Sequence, residues 1–322
     1  MELFTIVLIW TLPLVSGMAD AASRSVIKIA SKLHDFTLLS VGLLFALPFY
    51  LIWLFFTGMP IVENGFWVAI ALHVPLFTGA MILMVEAHKA SGLASTMPYM
   101  ALTPAFLLGV TPFLALFFSE LGGSSPTLVG GLGVLVLVAG LYVLNMQTRQ
   151  QSILSPVRAF WHDRGSRLMF FASIILAFTA TFDLVALKNI QNNVPFYLLV
   201  DHGLLSIIMA LLILAYSAMK WEKTLPFSPR GFWKSLFFFG CFTALAAGPH
   251  NLAFTWIPIV PYVIAVKRAG AILFGVLALG LVMGMILNHP KFQDDKKNLR
   301  FRIPGTIIAV IGMVIIIIWG KA

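Results

Sequence analysis

The chain has 322 residues, of which 60% are hydrophobic and only 10% are charged. About a quarter of the residues in an ordinary soluble domain are charged, so this composition excludes that class and indicates a polytopic membrane protein. The single cysteine, Cys241, excludes a disulfide framework and a paired-cysteine metal site. The formal charge of +9 is spread over short loops between apolar runs. Lipid headgroups and membrane topology account for such loops, and nucleic-acid binding does not.

The first apolar stretch imitates a secretory signal peptide. Residues 3–17 are followed by Ala19-Asp20-Ala21, which has the small-residue pattern of a cleavage site. No lysine or arginine precedes Arg24, however, so the positive region that opens a signal peptide is missing. We therefore expect this stretch to be kept as the first membrane helix.

Ten stretches are apolar and long enough to cross a bilayer, which takes about 20 residues. They predict transmembrane helices at residues 3–22, 36–57, 66–86, 95–118, 128–144, 168–187, 194–218, 232–248, 257–287 and 303–319. Five fall in each half, so the predicted domains are two five-helix repeats at 1–145 and 168–322. A basic linker at 146–167 joins them and carries Arg149, Arg158, Arg164 and Arg167.

Short motifs recur in the two halves. Met97-Pro98-Tyr99-Met100-Ala101 in the first half is similar to Val260-Pro261-Tyr262-Val263-Ile264 in the second. Gly133 and Gly140 have the same spacing as Gly305 and Gly312, and small residues at such a spacing let membrane helices pack closely. Because five is an odd number, two such repeats lie in opposite orientations, which is the inverted-repeat layout of many transporters.

Lysine and arginine are unevenly distributed over the predicted loops. Most lie in the loops after the odd-numbered helices, among them the linker at 146–167. Cytoplasmic loops carry an excess of positive residues. This distribution predicts a cytoplasmic linker and external termini.

Three motifs in the first half and two in the second carry a family resemblance: Pro98-Tyr99-Met100-Ala101-Leu102-Thr103-Pro104, Phe118-Ser119-Glu120, Gly133 to Gly140, Val263-Ile264-Ala265-Val266-Lys267-Arg268 and Ile272-Leu273-Phe274-Gly275-Val276-Leu277. With these motifs the chain resembles the EamA-type transporters of the drug/metabolite transporter (DMT) superfamily. The resemblance implies a ten-helix permease in a bacterial cytoplasmic membrane, monomeric or homodimeric, that moves a small organic metabolite by alternating access. One departure is that no acid near Met283 and Gly284 matches Glu120. We interpret Glu120 as a residue at a helix end.

Lys267 and Arg268 are the most informative candidate site residues. They lie inside the apolar stretch 257–287, where charged residues usually face a cavity and mark a substrate or ion path. We expect them to bind an anionic group such as a carboxylate or phosphate. Two alternatives stay open, in which they anchor at the membrane interface or are locked to acids. Tyr99, Tyr262, Trp256 and Thr103 are the other predicted substrate-binding residues.

Acidic side chains within the apolar stretches are candidates for proton coupling. Asp201 is followed by His202 about two turns into the seventh stretch, and Asp183 lies near the end of the sixth. Asp20 and Arg24 are four residues apart on the first helix and are expected to neutralise each other. The lone histidines His73 and His250 are interpreted as structural.

The chain contains no nucleophile elbow, phosphate-binding loop or zinc signature, so we predict neither an enzyme nor a cofactor. Two other functions remain open besides the transport of an anionic metabolite. One is export of neutral or zwitterionic amino acids or of amphipathic compounds. The other is a role without transport, as a lipid-handling protein or as a subunit of a membrane complex.

Overall fold

The computed structural model describes residues 3–29, 35–144, 160–220, 232–274 and 299–320. Within these ranges the chain is all-α, with no strand. The helices are α1 (Leu3–Ile29), α2 (Asp35–Thr57), α3 (Asn64–Met100), α4 (Thr103–Leu114), α5 (Leu128–Leu144), α6 (Arg164–Lys188), α7 (Val194–Lys220), α8 (Phe232–Trp256), α9 (Val260–Leu273) and α10 (Leu299–Trp319), with a 3-10 turn, η1 (Ser119–Leu121), after α4.

Five of the described segments are long and apolar enough to cross a membrane: Leu39–Thr57, Asn64–Met84, Arg164–Lys188, Val194–Ala215 and Trp233–Trp256. Three further helices are apolar but shorter, at Thr103–Leu114, Leu128–Leu144 and Pro304–Trp319. The fold class predicted from composition is therefore confirmed as all-α with several membrane-length helices.

Two of the predicted boundaries are wrong. The predicted gap at 87–94 lies inside α3, which continues to Met100 because polar residues alone do not end a helix. The chain turns instead at Ala101 and Leu102, and Pro104 opens α4 in its first turn, where a missing N–H costs nothing. The predicted end of the eighth stretch at Gly248 is also too early, because α8 passes through Pro249 and ends at Trp256.

Other predicted segments are changed or lie partly outside the described residues. Asp163 caps α6 by accepting a hydrogen bond from the Ser166 N–H at 2.8 Å, so α6 begins at Arg164, inside the predicted linker. Residues 146–159 of that linker lie outside the described residues, and the structure describes the linker from 160 onward. The predicted ninth stretch is described only as far as Phe274.

The helices pack in a small set of principal pairs. α3 lies along α6, α5 along α10, α1 against α8 and α9, and α2 against α7 and α8, while α4 contacts α6 and α9. The largest buried apolar cluster is built mainly from α2, α3, α6 and α7, and a second one from α5, α9 and α10. The polar cavity described below lies where α3, α6, α7, α8 and α9 converge.

Glu120 connects η1 to the end of α6, as expected for a residue at a helix end. Its carboxylate accepts a hydrogen bond from Asn189 Nδ2 at 2.9 Å, and Lys188 donates to its backbone carbonyl. Burial raises the pKa of Glu120, but the hydrogen bond from Asn189 and smaller effects outweigh burial, so that its pKa lies below the ordinary value. The contact joins the α4–α5 connection to the α6–α7 connection.

Close packing of α5 on α10 depends on glycine. Gly133 faces Gly312 and Gly140 faces Gly305, as the matched spacing predicts. A methyl group built on Gly133 would lie 3.1 Å from the carbonyl oxygen of Gly312, and one on Gly140 would lie 2.8 Å from that of Gly305. Small residues at these positions let the two backbones approach each other.

Replacing Gly140 with alanine is expected to separate these helices. The new methyl group would lie 2.7 Å from the Cα of Ala309, a backbone atom that cannot rotate away. We expect Gly140→Ala to lower the free energy of unfolding by about 1–3 kcal/mol, measured as a lower unfolding temperature of the purified protein in detergent. Gly131→Ala is the matched control, because its methyl group would meet only the Leu108 side chain, at 3.9 Å. Equal unfolding temperatures for the two variants would contradict this account.

Candidate functional site

A cavity of about 180 Å³ lies among α3, α4, α6, α7, α8 and α9. It is smaller than the roughly 300–1,000 Å³ of pockets for drug-sized ligands, so it suits a small metabolite. Its lining contains seven acidic, basic or histidine side chains: His73, Asp183, Asp201, His202, His250, Lys267 and Arg268. A dense set of charges inside apolar helices is the feature that separates this cavity from the surrounding apolar packing.

Helical periodicity brings these side chains to one place. α6 contributes Leu176, Thr179, Ala180 and Asp183, and α8 contributes Thr243, Ala246, Ala247, His250 and Asn251. Both sets follow the three-and-four spacing of one helix face. Asp201 and His202 of α7 and Lys267 and Arg268 of α9 complete the lining.

On one side of the cavity, His73 lies between two carboxylates. Its Nδ1 is 2.8 Å from Asp183 Oδ1, and its Nε2 is 3.3 Å from Asp201 Oδ1. Asp183 also accepts a hydrogen bond of 2.6 Å from the Tyr197 hydroxyl. His73 Nδ1 is 3.3 Å from the carbonyl oxygen of Thr179 as well. This arrangement links α3, α6 and α7 through buried charges.

His202 extends the same group of polar residues to α2. Its Nδ1 is 3.0 Å from the Tyr50 hydroxyl, and its Nε2 is 4.0 Å from Asp201 Oδ2. Tyr50 and His202 are both buried, and their rings contact edge to face. Asp201 thus has imidazoles on two sides, although neither is as close to it as His73 is to Asp183.

On the other side of the cavity are the two cations of α9. Lys267 Nζ is 3.1 Å from His250 Nδ1, and Arg268 Nη1 is 3.5 Å from Asp20 Oδ2 on α1. One of the two cations, Arg268, is therefore paired with an acid, as in the alternative that locks these cations to acids. Asp20 was predicted to pair with Arg24 on its own helix, but its carboxylate contacts Arg268 of α9. The Arg24 side chain lies outside the described residues.

Two buried oxygens that line the cavity lack a hydrogen bond within the described part of the chain. They are Asp201 Oδ1, which has His73 nearby but not in hydrogen-bonding geometry, and Asn251 Oδ1. Their residues are only 4% and 2% exposed. A buried acceptor without a donor is costly, so both oxygens favour a ligand that donates a hydrogen bond to them, and the Asp201 carboxylate can also bind a proton.

Of the predicted substrate-binding residues, Lys267, Arg268 and Thr103 line the cavity, and Asp183, Asp201 and His202 do so among the proton-coupling candidates. The three predicted aromatic residues, Tyr99, Tyr262 and Trp256, do not line this cavity. Tyr99 packs with Met169 and Ala172 near the α6 N-terminus. Tyr262 accepts a hydrogen bond from the Thr127 N–H at 2.9 Å, and Trp256 is 60% exposed at the end of α8.

Sequence reasoning missed four residues of the site. His73, Tyr197, His250 and Asn251 all line the cavity. For His73 a signal was present, since it is a polar residue inside a long apolar stretch. The signal for His250 and Asn251 was lost because the predicted end of the eighth helix at Gly248 placed both in a loop.

In the described ranges, no group of three or more acidic, histidine or cysteine side chains is arranged to hold a metal ion. The close pairs His73–Asp183 and His73–Asp201 can instead share protons. Together with Lys267 and Arg268, they allow the cavity to bind charged groups of either sign and to exchange protons.

The Asp20–Arg268 pair offers a direct test of what holds α1 on α9. Arg268→Met removes the cation that lies 3.5 Å from the partly buried Asp20 carboxylate, so we expect the free energy of unfolding to fall by up to about 3 kcal/mol. Asp20→Asn is expected to be destabilising as well, and the double variant should recover much of the loss. Thermal unfolding in detergent measures all three variants. Arg164→Met, at an exposed cation, is the matched control, and purely additive losses in the double variant would contradict the pairing.

No family model and no curated protein matches the sequence. The fold is shared with a solved crystal structure that is described only as that of a protein. The two agree with a TM-score of 0.63 over 96% of this chain and 97% of that chain, at 14% sequence identity. At this identity the likeness concerns the fold alone.

Proposed function

We propose that this chain is a secondary transporter of the EamA type, which moves a small organic metabolite through the central cavity by alternating access. The observation that carries the proposal is the cavity itself. Acidic, basic and histidine residues are rare within membrane helices, and those that occur usually face a substrate or ion path. Here seven of them line one small cavity among apolar helices.

The pattern of helix contacts supports two related halves. If each of α1–α5 is exchanged with the helix five places later in α6–α10, every contact of one half should have a counterpart. The α3–α6 pair then becomes α8–α1, the α4–α6 pair becomes α9–α1, and the α2–α8 pair becomes α7–α3. The same exchange leaves α5–α10, α2–α7 and α4–α9 unchanged. All of these pairs are in contact. Such symmetry fits an inverted repeat with its site at the interface between the halves.

The charges on α9 favour a cargo with an anionic group. Lys267 and Arg268 face the cavity, and Arg268 is held by Asp20. Lys267, which lies 3.1 Å from His250 Nδ1 on the cavity wall, is the candidate for direct contact with a carboxylate or phosphate. The size of the cavity limits the cargo to a small molecule.

A second candidate cargo is a zwitterion, such as a neutral amino acid. The specific observation in its favour is that Asp183 and Asp201 line the same cavity as Lys267. An ammonium group could then lie near the carboxylates while a carboxylate lies near the lysine. Lipid handling without transport is less well supported, because a cavity lined by charges offers little to an acyl chain.

Water access to the cavity is the first test of transport. In a Cys241→Ser background, we expect Thr243→Cys to react with a membrane-impermeant thiol reagent, because Thr243 lines the cavity. Leu245→Cys is the matched control on the same helix. Its side chain is 52% exposed on the outside of the bundle, where lipid should exclude the reagent. Mass spectrometry of the labelled protein in liposomes measures both, and labelling of Leu245→Cys alone would contradict a water-accessible path.

The role of Lys267 is tested by uptake into liposomes that contain the purified full-length chain. The probe compounds are inorganic phosphate, glutamate and alanine. We expect Lys267→Met to reduce uptake of the transported compound by about tenfold or more, because the desolvated cation facing the anionic group is gone. Lys234→Met is the control, since Lys234 is exposed at the start of α8.

The identity of the affected compound separates the candidates. Uptake of phosphate or glutamate by the wild-type protein supports an anionic cargo, and uptake of alanine supports a zwitterionic one. Unchanged uptake in Lys267→Met would remove Lys267 from the site. Transport of none of the three compounds, together with an unlabelled Thr243→Cys, would contradict the transporter proposal.

A further inference from the structure

We propose that Asp183, His73 and Asp201 form the proton site of this transporter, in which His73 positions Asp201 to take up and release the coupling proton. The inference rests on the proposed function and deepens it. It assigns a role to His73, which the sequence indicated only as a structural residue.

The first step of the argument is the geometry around the imidazole. Both ring nitrogens of His73 face carboxylate oxygens, at 2.8 Å on the Asp183 side and 3.3 Å on the Asp201 side. A neutral imidazole donates from only one nitrogen, so its other nitrogen would present a lone pair to a carboxylate. Electrostatics favour either an imidazolium between two carboxylates or a neutral imidazole beside one carboxylate and one carboxylic acid. Two protons are therefore shared among three groups.

The second step is the asymmetry between the two carboxylates. Asp183 is anchored by the Tyr197 hydroxyl at 2.6 Å and by His73. Asp201 Oδ1 has no hydrogen bond, and Asp201 Oδ2 is 4.0 Å from His202. The loosely held carboxylate is the one that can accept a proton without losing a hydrogen bond. Its position on the cavity wall gives it access to water there.

The third step is the charge of the surroundings, which decides how an added proton is received. The groups that face His73 and Asp201 are Tyr50 on α2, Asp183 on α6, Tyr197 and His202 on α7, His250 on α8, and Lys267 and Arg268 on α9. With His73 as imidazolium, the three-residue site has a charge of −1 in an apolar bundle. One further proton on Asp201 removes the net charge of these three residues, and the two cations Lys267 and Arg268 then face one further carboxylate, that of Asp20.

The proton step itself is simple. A hydronium ion in the cavity gives up a proton to a lone pair of Asp201, so that an O–H bond forms on the carboxyl group and a water molecule is left. Release to water on the opposite side reverses this step. In the charged state, Asp201 of α7 attracts His73 of α3, whereas in the protonated state this attraction is lost. Proton binding can thus change how α7 is held to the α3–α6 pair.

The test measures proton binding without any cargo. Infrared difference spectra of the full-length protein in liposomes, between about pH 5 and about pH 8, report carboxyl groups that become protonated. We expect a wild-type signal that Asp201→Asn removes. His73→Gln should raise the midpoint pH of this signal by about one pH unit or more, because the imidazolium that stabilises the charged carboxylate is gone. His162→Gln, which removes an exposed histidine outside this cavity, should retain the wild-type signal and midpoint.

A second measurement separates proton coupling from cargo binding. Uptake of the phosphate, glutamate and alanine probes is compared when a pH gradient drives it and when it occurs by exchange at equal pH. Asp201→Asn should lose about tenfold or more of the gradient-driven uptake and retain the exchange. Because this substitution is nearly isosteric, it keeps the test decisive even if His73→Gln fails to fold.

Contrary results are equally specific. An infrared signal that persists in Asp201→Asn would overturn the proton site. Equal losses of gradient-driven uptake and exchange would make Asp201 a cargo ligand and also overturn the proposal. If the wild-type protein transports none of the probes and Thr243→Cys stays unlabelled, the transport function fails, while the infrared spectra still decide whether these residues bind a proton.

Discussion

The pairing of buried charges inside an apolar helix bundle constrains this structure more than any other interaction. A charged side chain surrounded by apolar helices requires a partner, because neither lipid nor apolar packing can replace its water. Asp20 on α1 therefore pairs with Arg268 on α9, and His73 on α3 lies between acids of α6 and α7. These pairs connect helices that are far apart in sequence, and together they surround the cavity. The same interactions that hold the helices in place thus create the chemistry of the site.

The existence of the helices could be predicted far better than their ends. Each predicted stretch overlaps a helix of the described chain, because a long apolar run has few other structures available to it. Hydropathy, however, reports how apolar a segment is and not where its backbone hydrogen bonds stop. Residues 87–94 are more polar than their surroundings but remain helical in α3, and α8 continues past Pro249. Prolines mark the observed turns instead. The turn at Ala101 and Leu102 is followed by Pro104 in the first turn of α4, and the turn at 257–259 contains Pro258, just before α9.

Charged residues of the cavity could be predicted from the sequence, because their charge alone determines that they face it. Aromatic residues could not, because the orientation of their side chains determines whether they face it. Asp183, Asp201, Lys267 and Arg268 line the cavity because burying a charge anywhere else in the bundle would be costly. An aromatic ring has no such restriction, so Tyr262 can turn toward Thr127 while remaining equally buried. The repeated motif was also misleading. Its first copy ends α3 and its second opens α9, so the two tyrosines do not occupy corresponding places.

The charges of the cavity region also explain why a titratable group belongs there. Among the described residues that line or contact the cavity, three carboxylates, of Asp20, Asp183 and Asp201, face two permanent cations, Lys267 and Arg268. A protonated His73 supplies the third positive charge and makes the set neutral. A further proton on Asp201 would then give the set a net charge of +1. The net charge of the cavity therefore depends on a single proton, and so does the attraction between α3 and α7. An anionic cargo would be favoured when that proton is bound, since its charge then restores neutrality. For the transporter we propose, this charge balance favours the binding of cargo and proton together, as symport requires.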